Sequence, residues 1–149
     1  MLFRSEGGVS EIIPWQAERS IEQWQSNSES KWNSAVREAS KQSRRVVIPR
    51  VSPRKNSRNL MTALTDADCV LVFHESETQP LSHVLEKIST KNISRLALII
   101  GPEGGISERE LAEFLAGGAI AVRMGEPIFR AAHAGVAALA AIQAGLRLW

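Results

Sequence analysis

Apolar positions along the chain switch between two periods. Cys69-Val70-Leu71-Val72-Phe73 and Leu96-Ala97-Leu98-Ile99-Ile100 are near-continuous apolar runs, the pattern of strands covered on both faces of a parallel sheet. Between Glu29 and Ser43, Trp32, Ala35, Val36 and Ala39 recur at helical spacing while Arg37, Glu38, Lys41 and Gln42 take the other face, which predicts an amphipathic helix. Leu81 to Ile88 reads as a second helix. Val9 to Ile13, closed by Pro14, predicts the first complete strand. Val46-Val47-Ile48-Pro49 predicts a short strand, and Ser52 to Asn59 has the turn and breaker composition of an exposed loop. Ser107 and Glu110 form a Ser-x-x-Glu capping box ahead of Leu111, Phe114 and Leu115. Gly117 and Gly118 stop that helix, Ala119 to Met124 returns as a strand, and an alanine-rich helix closes the chain. Strand and helix alternate, so the fold class is α/β with a mostly parallel sheet flanked by helices.

With 149 residues and 44% apolar content, the chain can bury one substantial core and leaves little room for a second domain. The single cysteine, Cys69, lies in an apolar run and excludes an intrachain disulfide framework. Met1 to Gly8 lacks the order of a signal peptide, and the stretch from Ala131 carries His133, Gln143 and Arg147, as a packed helix does and a membrane span does not. The expectation is a cytoplasmic protein with no membrane partner. The net charge of +2 implies no partner by itself. Its distribution is uneven, because Lys41, Arg44, Arg45, Arg50, Arg54, Lys55 and Arg58 follow one another without an intervening acid. Such a run either tracks nucleic-acid phosphates or is a solvated loop.

The first chemical motif is Leu98-Ile99-Ile100-Gly101-Pro102-Glu103-Gly104-Gly105-Ile106-Ser107, a buried strand opening into a glycine-rich turn at a helix start. Open α/β sheets bind ligands at such carboxyl ends. Glycines let backbone amides and carbonyls line a pocket, suiting adenine edges or a carboxylate. Taken alone, the loop also fits a tight connection or a phosphate-binding turn, although it lacks both the P-loop and the dinucleotide fingerprints.

The complete string resembles the hallmark of the ribosomal RNA small subunit methyltransferase E family, the 16S rRNA uridine-N3 methyltransferases of the SPOUT superfamily. Val122 to Arg130 is similar to that family's Leu-Gly-x-x-Ile-Leu-Arg segment. Gly8 to Pro14 with Glu18-Arg19-Ser20, and Glu38-Ala39 with Gln42 and Arg45, follow in the family's order. The resemblance implies a SPOUT-type α/β knot, with a deep C-terminal trefoil and S-adenosyl-L-methionine as cofactor. It places Ile100, Gly101, Glu103, Gly105, Met124, Gly125, Ile128 and Phe129 at the cofactor. It gives Arg130 the catalytic role of stabilising charge on the uracil carbonyls; the other reading of Arg130 is a residue that caps or pairs at the last helix. Arg19, Arg45, Arg54 and Lys55 become RNA contacts, and no metal is implied. The partner it implies is 16S rRNA or the assembled small ribosomal subunit.

The terminal helix, apolar nearly all round, must be covered; the resemblance implies a homodimer packed through it, with burial inside a monomer as the alternative. His74 beside Glu75 matches a family His-Glu pair, and a satisfied strand-end histidine fits equally. Ala131-Ala132-His133-Ala134 stands where the family usually carries hydroxyl and acidic residues. By this resemblance residues 9–149 are the methyltransferase domain and 1–8 a poorly matching remnant, without the family's N-terminal RNA-binding barrel and first strand-helix unit. The competing function is a catalytically impaired domain that only binds RNA or dimerises.

Overall fold

The computed structural model describes residues 8–21, 23–44, 46–91, 93–125 and 129–148. Its sheet is centred on β5 (Cys69–Phe73), which pairs in parallel with β6 (Leu96–Ile100) on one side and β7 (Ile120–Val122) on the other. Alternation along β5 sends successive side chains to opposite faces. Val70 and Val72 join Leu60, Ile99, Ile106 and Phe114 in one core. Cys69 and Leu71 join Leu81, Val84, Leu85, Ile88 and Ile142 in the other. One strand therefore serves two cores, which is why its apolar run does not alternate.

Helices cover both faces. α2 (Ser57–Ala63) and α4 (Glu108–Ala116) contribute to the first core, and α3 (Leu81–Ser89) and α5 (Ala131–Gly145) to the second. α1 (Ser28–Gln42) buries Val36 and Ala39 as the helical spacing requires. The Ser107 box forms as read from the sequence, with side chain and backbone exchanged between Ser107 and Glu110. Among the described residues no helix is long and apolar enough to cross a membrane.

The region ahead of β5 departs from expectation in three ways. The expected strand at Val9–Pro14 is two short pieces, β1 (Glu11–Ile12) and β2 (Trp15–Gln16), because Pro14 has no N–H to donate. These pair in parallel with β3 (Arg50–Val51) and β4 (Lys55–Asn56), themselves separated around Pro53. The strand expected at 46–49 is absent: Val46, Val47 and Ile48 are 99%, 64% and 53% exposed, and pairing begins only at Arg50. The loop expected at 52–59 is ordered, with Ser52 and Ser57 buried and α2 beginning inside it. Asn56, read as a turn residue, is instead the N-cap of α2, its side chain accepting the Asn59 N–H at 2.9 Å. The strand expected at 119–124 is also shorter, continuing past Val122 only as the Arg123–Pro80 bridge.

β1 and β2 run alongside β6, and among the described residues no backbone–backbone hydrogen bond joins them to it. Arg95 reaches Glu11 at 2.8 Å at one end, and the Trp15 indole N–H reaches the Ile100 carbonyl at 3.4 Å at the other. Between them lies a cavity of about 340 Å³, lined by both strands, by Leu60 and Leu64 on one side, and by Leu139 and Ile142 on the other.

Candidate active site

Parallel strands direct their carboxyl ends to one edge of the sheet, and there the ends of β5, β6 and β7 converge with the start of α5. The cavity between them measures about 310 Å³. Ile100, Gly101, Glu103 and Gly105 come to it from β6 and the glycine loop, Met124 and Gly125 from beyond β7, and Phe129 and Arg130 from the approach to α5. Ile128 lies outside the described residues. Glu75 lines the cavity together with His74, the pair singled out from the sequence, and Phe73, Arg123 and Ala134 join them unexpected. The signal for Phe73 was available: a central parallel strand ends on the same edge as its neighbours.

The loop is shaped by its glycines. Gly105 has φ +75°, a conformation that disfavours a side chain. At Gly104 a Cβ would lie 2.6 Å from the Arg19 carbonyl oxygen, so the loop admits another backbone pressed against it. His74 fixes the loop's far side. The Ser76 N–H donates to His74 Nδ1 at 3.3 Å, which leaves the ring proton on Nε2 to donate to the Ile106 carbonyl at 3.3 Å. The histidine is thus a satisfied strand-end residue and a wall of the cavity at once.

Arg130 is exposed at the N-cap of α5, and its carbonyl accepts the His133 and Ala134 N–H groups at 2.8 and 2.9 Å. Its guanidinium makes no cap bond to α5 and no ion pair among the described residues. A cation at a helix N-terminus also opposes the helix dipole. Arg130 also lines the cavity wall.

Of the expected RNA contacts, Arg45 lies outside the described residues. The structure groups the other three: β2 beside β4 puts Lys55 opposite Trp15, Arg54 reaches the Gln16 side chain at 3.5 Å, and Arg19 follows directly on that edge. Arg19 Nη1 is 3.5 Å from the Gly104 carbonyl of the glycine loop. Next to it, Glu18 accepts from the Ser107 hydroxyl and pairs with Arg109, and these hydrogen bonds hold its carboxyl below the ordinary carboxylate value. No cluster able to hold a metal occurs among the described residues.

Residues 4–143 match the family described as RNA methyltransferase domain. Ribosomal RNA small subunit methyltransferase E of Mycobacterium bovis is 34% identical over 146 residues, covering 93% of this chain and 54% of that protein. The Bacillus subtilis protein of the same name is 31% identical over 145 residues, covering 93% and 57%. The chain spans about half the length of the curated relatives it matches. Among solved structures, ribosomal RNA small subunit methyltransferase E from Neisseria gonorrhoeae, bound to S-adenosyl methionine, superposes with a TM-score of 0.85 at 28% identity, over 99% of this chain and 59% of that one. A putative methyltransferase from Legionella pneumophila shares the fold, with a TM-score of 0.83 at 23% identity over 96% of this chain and 59% of that one. With the family match spanning nearly the whole sequence, the chain belongs to the RNA methyltransferase domain family.

Proposed function

We propose that this chain is the S-adenosylmethionine-dependent catalytic domain of a methyltransferase that modifies N3 of a uridine in 16S ribosomal RNA. The observation that carries the reading is the cavity where three parallel strand ends, the glycine loop and Arg130 meet. Its size is near the lower end of small-molecule sites. Phe73, Ile100, Met124 and Phe129 offer apolar surface for an adenine, and the loop offers backbone polar groups. The Neisseria relative carries the same molecule.

When bound, S-adenosylmethionine supplies a methyl group on a sulfonium already primed for displacement. The protein's part is to position the uracil ring and stabilise charge. Uracil N3 becomes nucleophilic as its proton leaves, and the negative charge spreads onto the flanking carbonyls. Arg130, at the wall and without an ion pair among the described residues, is placed to stabilise that charge. Phe129 and Met124 exclude water from the reacting atoms. Arg19, Arg45, Arg54 and Lys55 take backbone phosphates, contributing salt-dependent affinity and no sequence information.

Several further features belong to this reading. α5 leaves Ala132, Ala141 and Ala144 exposed and buries only Gly135, Ala138 and Ile142, which supports a homodimer through that helix. The trefoil threading of the last segment, a cytoplasmic setting and the assignment of 9–149 as the domain are parts of the same proposal.

Titration calorimetry with S-adenosylmethionine, followed by mass mapping of 16S rRNA incubated with the protein and that compound, tests the proposal. Saturable binding and one added methyl on a uridine are expected. A folded sample with no detectable binding overturns the catalytic reading and leaves an RNA-binding or dimerisation module. Arg130→Ala should lower kcat by about 10²-fold or more with cofactor affinity retained, as loss of a charge-stabilising donor does.

A further inference from the structure

Glu110 is fully buried and held on both carboxylate oxygens. Oε2 accepts the Ser107 N–H at 3.1 Å, which completes the cap of α4. Oε1 accepts the Glu18 N–H at 2.9 Å and the Ser57 hydroxyl. These last two bonds reach 92 and 53 residues along the chain and add nothing to the helix end. The Ser57 bond holds the start of α2, and the Glu18 bond anchors the turn Ala17–Ser20, which closes on itself through Ser20 N–H to the Ala17 carbonyl at 3.2 Å and Ala17 N–H to the Ser20 hydroxyl at 3.1 Å. Arg109 and Ser107, both on or beside α4, hold the Glu18 side chain of the same turn. The turn's Arg19 is the residue whose backbone presses on Gly104.

We infer that Glu110 is a positioning residue for RNA binding: its buried carboxylate holds the Ala17–Ser20 turn against the glycine loop and so sets the Arg19 guanidinium beside that loop to receive an RNA phosphate. The inference rests on the proposed function. A capping acid needs only the Ser107 exchange; satisfying a remote backbone N–H and a remote hydroxyl ties three separate segments to one buried group. Loss of one donor or acceptor in such a closed network frees its members together.

Glu110→Gln keeps the shape and replaces one acceptor oxygen by an NH₂ that faces either the Ser107 N–H or the Glu18 N–H, donor against donor. The test is 16S rRNA binding across a salt series for wild type, Arg19→Ala, Glu110→Gln and the double variant, with S-adenosylmethionine affinity measured alongside. Removing a carboxylate makes the protein more positive, so charge alone would tighten RNA binding. The expected result is the opposite: Glu110→Gln weakens it severalfold, lowers the salt slope by about 0.7, the share of one single-strand phosphate contact, and adds nothing to Arg19→Ala in the double variant. Additive effects, or binding by Glu110→Gln as tight as wild type, overturn the inference even where cofactor binding and methylation stand. If Arg19→Ala leaves RNA affinity unchanged, its phosphate role falls and the inference with it. Should Glu110→Gln not fold, Ser57→Ala, which removes one anchoring bond and leaves the cap, must show a smaller loss that also vanishes in the Arg19→Ala background.

Discussion

Neighbouring glycines in the loop are constrained by different physics, and substitution separates them. At Gly105 there is room for a methyl group, the nearest atom being Arg19 Nη1 at 3.9 Å, so alanine there meets only the cost of φ +75°. That is about 1–2 kcal/mol. At Gly104 a Cβ would lie 2.6 Å from a backbone oxygen and 2.9 Å from the Arg19 Cβ, neither of which is the far end of a flexible side chain. Gly104→Ala should therefore lower the denaturation midpoint more than Gly105→Ala does, and displace the turn carrying Arg19. Equal midpoints, or the reverse order, would show that the turn does not press on the loop in solution. Cys69 is simpler. Burial raises its thiol pKa, with Lys91 acting weakly the other way, so the native protein should react with a thiol reagent at neutral pH only as fast as it opens.

At the scale of elements, Glu11 joins three strands: it bonds Arg50 and Ser52 beyond β1 and Arg95 at the head of β6. Burial acts to raise its pKa, but the hydrogen bonds from Ser52 and Arg50 and the charges of Arg50 and Arg95 outweigh burial and hold it below the ordinary 4.5. Asp68, bonded by the Arg95 and Ser94 N–H groups and the Ser94 hydroxyl, is lowered likewise. A carboxyl lowered in the fold binds protons less well than in the unfolded chain, so it stabilises above its unfolded value and that contribution is lost as pH falls through 4.5 and below. The stability difference between wild type and Glu11→Gln should be full at neutral pH and shrink on acidification; a difference independent of pH would show that the ionised form is not the one the junction selects.

The same elements show what the sequence could disclose. β5, β6 and the Ser107 box were legible because burial on both faces and a cap each leave a local signature. β3, β4 and α2 were not. Their pairing is decided by two prolines on different strands, and the Asn56 cap looks like a turn until Ser57 and Leu60 are seen to be buried. The site was legible as a set of loops that resembled a family and, at β5, as a strand end on the same edge, while the Glu110 anchor was not, since it depends on contacts far apart in the chain.

At the scale of the whole molecule, the two halves of the sheet meet across a gap, and backbone direction shows what the gap exposes. The Ser10, Ile12 and Pro14 carbonyls accept from Arg50, Ser52 and Lys55 at 3.0, 2.9 and 2.8 Å, so the polar groups of Glu11, Ile13 and Trp15 point the other way, toward β6. On β6 the Arg95 carbonyl accepts from Asp68 on the β5 side at 2.9 Å, and Ile100 accepts from Trp15 on the opposite side. Leu96 and Leu98 share the parity of Ile100, so their N–H groups face the gap. Among the described residues no backbone bond crosses it. Hydrogen exchange resolves this residue by residue. The amides of Leu96 and Leu98 should exchange much faster than those of Leu71 and Val72, although all four residues belong to one three-stranded sheet. A peptide or fused segment that enters the gap as a strand should slow Leu96 and Leu98 and leave Leu71 and Val72 as they were. Equal protection of all four in the chain alone would mean that β1 and β6 close on each other in solution, and that the sheet needs no further strand.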